Sequence, residues 1–67
     1  MTISYDRLWK LVHENKMKHQ DLARAAEISA STVTKLGKNE AVSLEVLMRI
    51  CKVFHCDIGD IMEIIEE

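Results

Sequence analysis

A chain of 67 residues that is 48% apolar, with no proline and only two glycines, Gly37 and Gly59, has the make-up of packed helices rather than of a disordered or hairpin-rich segment. Folding at this length removes only about 60% of the unfolded surface from water, so stability requires close helix packing or self-association. The net charge of -2 excludes a uniformly basic nucleic-acid binder, and no run approaches the ~20 apolar residues of a membrane span.

The charge is unevenly spread. Residues 1–40 carry seven Lys and Arg against five acids, a balance of +2; residues 41–67 carry Arg49 and Lys52 against six, a balance of -4. A polyanionic partner would therefore meet the N-terminal part, with the acidic tail turned away. No cationic-then-apolar leader opens the chain, so an intracellular, cytoplasmic protein is expected.

In chain order, Ser4 is placed to cap a first helix over Tyr5 to Asn15, with Leu8, Leu11 and Val12 on its inner face. Lys16-Met17-Lys18 is a connector whose Met17 dips toward the core. A second helix follows, with Leu22 and Ala26 as its apolar pair, and breaks at Glu27-Ile28. Ser29 then stands where an N-cap belongs, and Ala30 to Leu36 forms a third helix. Lys38 to Val42 is a loop in which Asn39 suits a left-handed turn position. Ser43 caps a fourth helix, Leu44 to Phe54, with Leu44, Leu47, Ile50, Cys51 and Phe54 recurring at i, i+3 and i+4. His55-Cys56 ends it. Asp57 caps a fifth helix, Ile58 to about Ile65, placing Ile58, Ile61, Met62 and Ile65 on one face. One domain over residues 1–67 is expected, with no repeat or linker.

The third helix carries almost no bulk beyond Val33 and Leu36; its remaining positions are Ala, Ser, Thr and one Lys. A helix that buries a narrow stripe and presents small hydroxyls and a cation suits the floor of a DNA groove. Two short helices joined by a tight turn in this way form a helix-turn-helix, whose second helix supplies base contacts.

The pattern Leu22-Ala23, Ile28-Ser29, Val33, Leu36, Leu47, Ile50, Cys51 and Ile61 resembles the Cro/cI-type (Xre-like) DNA-binding domain, over about Leu8 to Ile65. The resemblance implies an all-α, compact five-helix bundle of the lambda-repressor-like type. Its apolar spacing is the specific part. Where the family usually has a phosphate-touching Gln at the start of the second helix, this chain has His19. Glu27 stands at the turn position usually filled by Gly, so the turn is either strained or differently shaped. An Arg on the first helix and a Glu at the end of the recognition helix, which many members pair in the interior, are replaced by Val12 and Gly37. Both partners are missing together, so neither leaves an unpaired buried charge, which would cost ~3–5 kcal/mol.

On DNA the resemblance implies that Ala30, Ser31, Thr34 and Lys35 face base edges, and that His19, Gln20, Ser29, Thr32 and Lys38 lie near phosphates. A methyl or hydroxyl at Ala30 or Ser31 can approach a thymine methyl, and Lys35 can reach guanine O6 and N7. Helix starts and short polar side chains fix register on the backbone. The bland alternative is that these are solvated helix faces.

Cys51, His55 and Cys56, with His13 and His19 elsewhere, form a sparse metal-ligand set. Structural zinc sites prefer two matched closely spaced pairs, so the cysteines read instead as small buried hydrophobes and no metal or cofactor is expected. A disulfide between them is disfavoured in a reducing cytosol. In the resemblance His55 takes a helix-terminating Gly position, where His tolerates the left-handed conformation, and Cys56 takes a position filled by Val.

Trp9, one turn beyond Tyr5, either covers the last helix or anchors a partner subunit. The oily last segment leaves Met62 and Ile64 for a symmetric patch, so a homodimer through the first and last helices (Trp9, Met62, Ile64) is expected. It would place two recognition helices about one DNA turn apart on a palindromic site. No catalytic constellation is visible: Asp57 and Asp60 flank a helix start, Ser43 is a cap, and no phosphate-cradling Gly loop or small-molecule pocket is foreseen. The expected function is that of a sequence-specific regulator of transcription, a repressor on double-stranded DNA. The alternative is a protein-interaction module on the same fold, an antitoxin-like or anti-repressor partner using the acidic tail and last helix.

Overall fold

The two ends of the chain meet. In the computed structural model, which describes residues 1–66, Thr2–Ser4 (β1) and Glu63–Ile65 (β2) pair antiparallel, with Thr2 opposite Ile65, Ile3 opposite Ile64 and Ser4 opposite Glu63. Between them run four helices, α1 (Asp6–Glu14), α2 (His19–Ala26), α3 (Ala30–Gly37) and α4 (Leu44–Phe54), then a 3-10 turn at Ile58–Asp60.

The expected fifth helix is replaced by that turn and β2, so the fold is mostly helical with a small sheet and not a five-helix bundle. Part of the reason is local: a helix here would carry Gly59 in its first turn and β-branched Ile64 and Ile65 in its last; the rest is the pairing of Glu63–Ile65 with Thr2–Ser4. Asp57 still caps, its Oδ1 accepting the Ile58 N–H at 2.9 Å, while its own N–H donates to Asp60 Oδ2 at 2.9 Å. The capped turn then closes within one cycle. Ile61 is fully buried, whereas Ile64 and Ile65 lie on the strand and remain exposed. Arg7 on α1 holds this segment down: Nη1 donates to Gly59 O at 2.7 Å and Nη2 to the Glu63 carboxylate at 3.1 Å.

The core joins Tyr5, Leu8 and Val12 to Leu22, Ala26, Leu36, Leu47, Ile50 and Ile61. Leu11 and Met17 pack against it half-buried, as their spacing implies. Ser4 ends β1 rather than capping α1 directly; Tyr5 is the N-cap residue, and the Ser4 hydroxyl accepts the Asp6 N–H at 3.3 Å. Leu44 departs from expectation. The buried stripe of α4 centres on Leu47 and Ile50, with Val46 and Val53 half-covered on one flank. Leu44 and Met48 fall beyond its other flank and are 62% and 63% exposed.

Four residues hold positive φ near 55°: Lys16, Glu27, Asn39 and His55, each just past a helix end. Reversing direction there without glycine costs ~1–2 kcal/mol per residue, least for Asn. Glu27→Gly would relieve that strain but add ~0.5–1 kcal/mol of unfolded-chain entropy. A net gain of about 0.5–1 kcal/mol is expected, read as a melting temperature about 3–6 °C higher. Glu27→Ala, which keeps a Cβ, should change little; equal gains from both would refute the strain.

Cys51 and Cys56 are free thiols half-buried against the core, with the Cys56 N–H donating to Cys51 O at 3.1 Å. Burial, foremost, pushes both thiols up from the ordinary 9.0, and the neighbouring acids Asp57 and Asp60 add to it. The unfolded chain therefore releases these protons first. Stability should hold below about pH 9 and fall as pH rises beyond it. Burial likewise raises the Tyr5 phenol from 10.0, which extends the fall. Urea midpoints measured from pH 8 to 11 check this, and Cys51→Val with Cys56→Val should flatten the first part of the decline.

Candidate nucleic-acid interface

α2 starts at His19 because Lys18 is extended and the Asp21 carboxylate accepts its N–H at 2.8 Å. Leu22 and Ala26 sink into the core one turn apart. Glu27 then adopts φ 56°, ψ 46°, and the chain turns, its close marked by the Ile28 N–H donating to Ala23 O at 3.0 Å. The turn thus has the shape a glycine would give, held by a residue with a Cβ. Ser29 caps α3: its Oγ accepts the Thr32 N–H at 3.2 Å and lies 2.8 Å from Thr32 Oγ1 and 3.0 Å from Ser31 Oγ.

Only Val33 and Leu36 of α3 are buried. The face left to water carries Ala30, Ser31, Thr34, Lys35, Gly37 and Lys38. Ala30, Ser31, Thr34 and Lys35 lie at i, i+1, i+4 and i+5, so the structure brings the four expected base-facing residues onto one side. Thr34 Oγ1 donates to Ala30 O at 3.1 Å, which spends its proton within the helix and leaves a lone pair and a methyl outward. Lys35 is the one charged side chain of α3. Such a surface can approach a partner closely and offers few strong donors.

The expected phosphate residues fall into three places. His19 and Gln20 are exposed at the start of α2 and line a shallow cleft with Ala23, Ala30, Val33 and Thr34. Ser29 and Thr32 line a different hollow, shared with Glu27, Ile28, Glu45, Val46 and Arg49. Lys38 closes α3, its N–H bonded to Thr34 O and Lys35 O at 3.2 and 3.1 Å. Among the described residues no group of three or more His, Cys, Asp or Glu side chains could hold a metal ion, and no helix is long and apolar enough to cross a membrane.

A family model for the Cro/C1-type HTH DNA-binding domain matches residues 7–67. The chain belongs to that family. It is similar to the transcriptional regulator VanUg, whose crystal structure aligns with a TM-score of 0.91 at 50% identity, covering 98% of this chain and 88% of that one. No curated protein matches. Of the two positions where an interior ion pair was expected to be replaced, Val12 is buried in the apolar core, whereas Gly37 is exposed and a Cβ built there would meet open space.

Three residues of this Cro/C1-type domain were not foreseen in their roles. Arg49 bridges the turn to α4, donating from Nη1 to Glu27 O at 2.9 Å and from Nη2 to Glu45 at 3.1 Å. This puts a cation beside Ser29 and Thr32; the i,i+4 spacing from Glu45 marks half of its pairing, but the contact with the turn goes to a backbone oxygen that no sequence signal marks. Tyr5 reaches the loop after α3, its hydroxyl donating to Glu40 O at 2.8 Å and its N–H to Asn39 Oδ1 at 3.2 Å. Trp9, half-buried against the core, stacks its ring on His19, with centroids 4.5 Å apart and planes at 28°.

Proposed function

We propose that this chain is a transcriptional repressor that docks α3 in the major groove of double-stranded DNA. The observation that carries the reading is the exposed small-residue face of α3, seated on Val33 and Leu36, in a chain of a DNA-binding family. Ala30, Ser31, Thr34 and Lys35 meet base edges; His19, Gln20, Ser29, Thr32 and Lys38 fix the register on phosphates. The likeness to VanUg, itself described as a transcriptional regulator, supports the regulatory role. The protein acts in the cytoplasm without a cofactor and as a homodimer on a palindromic site. The apolar surface of the C-terminal segment, with Ile64 55% exposed and Met62 beside it, supports that pairing.

Selection from random duplex DNA tests docking, specificity and pairing together. One half-site repeated with inverted symmetry at about 10–10.5 bp centre-to-centre is expected. Absence of any affinity even at low salt would overturn the reading. A second reading, a protein-interaction module, is favoured by the neighbouring exposed Leu44 and Met48 on α4. Sedimentation equilibrium separates the dimer from it: a clean 7.7 kDa monomer at high concentration would exclude self-pairing.

A further inference from the structure

His19 is an exposed side chain, yet its ring is not free. Trp9 reaches from α1 to stack against it with ring centroids 4.5 Å apart, a contact that is favourable beyond the area it buries. Trp9 itself is half-buried and packed on the core, so its ring is fixed by the domain's interior. His19 opens α2, where the first-turn N–H groups point outward unpaired, and it shares its cleft with Ala30 and Thr34 of α3. The core thus reaches, through one indole, the point where the two helices of the motif present their surfaces together.

We propose that Trp9 is a positioning residue for DNA binding: it holds the His19 imidazole in the orientation that contacts a backbone phosphate beside the base-facing end of α3. This rests on the reading of His19 as a phosphate contact. A free histidine would lose its side-chain freedom at the moment of binding, and that loss weakens affinity. Stacked on Trp9, the ring has lost it already. The same contact fixes α1 against the start of α2, so the phosphate donor and the recognition helix keep one spacing.

A double-mutant cycle tests this on the whole chain, with helical circular dichroism and thermal unfolding confirming that each variant folds. His19→Ala and Trp9→Leu are each expected to weaken binding to the selected DNA about 5- to 10-fold, and the double variant no more than His19→Ala alone. Trp9→Phe, which keeps a ring over His19, should recover most of the loss. Trp9 is the single tryptophan, so His19→Gln should also change its fluorescence in the free protein. If Trp9→Leu does not fold, Trp9→Met takes its place in the cycle. Loss of affinity in His19→Ala with none in the Trp9 variant, or losses that multiply in the double variant, would overturn the positioning role and leave the phosphate contact standing. No loss in His19→Ala, while Lys35→Ala still weakens binding, would remove the phosphate contact and the proposal with it.

Discussion

Tyr5→Ala is expected to remove about 3–5 kcal/mol of folding stability, the range for emptying a buried aromatic site. A chain of 67 residues has roughly 3–10 kcal/mol in total, so this one change should bring the protein close to unfolding. Tyr5 is 1% exposed and packs with Leu8 and Ile61 in one cluster. Its hydroxyl contributes a separate part. Tyr5→Phe keeps the ring and frees Glu40 O, a loss of about 0.5–1.5 kcal/mol. Urea unfolding of both variants measures the split; equal losses would mean that the hydrogen bond outweighs ring packing. Because Tyr5 binds Asn39 and Glu40, Tyr5→Phe should also loosen the loop that follows the recognition helix.

The second large effect lies on DNA. Lys35→Ala with Lys38→Ala is expected to weaken binding about 100-fold near physiological salt, each cation supplying on the order of 1–3 kcal/mol. The two should differ in kind. Lys35→Ala should relax discrimination at the position it reads, whereas Lys38→Ala should weaken all sequences alike and lower the slope of log affinity against log salt by about 0.9. Within α3 itself no other charged side chain can substitute. Unchanged affinity in both single variants at 50 and 200 mM salt would remove α3 as the contact surface.

Much of this arrangement is legible in the chain. The apolar pairs Leu22 with Ala26 and Val33 with Leu36 set which sides of α2 and α3 are buried, because a 3.6-residue period leaves one choice. Ser29 and Ser43 mark helix starts through the N–H groups their hydroxyls satisfy. Asn39 and His55 mark reversals by their tolerance of positive φ. Glu27 was legible only as a question, since its type disfavours a conformation that the buried flanks on either side impose.

The end of the chain departs from its helical period for a physical reason. Ile58, Ile61, Met62 and Ile65 fit a helical period, but the fate of Ile64 and Ile65 depends on Thr2–Ser4, some sixty residues away in sequence and adjacent only after folding. Strand pairing is a two-body event, and neither strand carries its partner's address. Leu44 was misplaced because a period fixes the width of a stripe less well than its centre, which packing on α2 decides. What the amino-acid order determined by itself is the set of local choices: four helices, the serine caps of α3 and α4, the helix-turn-helix and its small-residue face. Only the tertiary structure decided the long-range contacts: β1 with β2, Tyr5 with Glu40, Arg49 with Glu27, and Trp9 with His19. Those join distant segments through backbone acceptors and ring faces, which nearly any sequence could offer and only a completed core brings within reach.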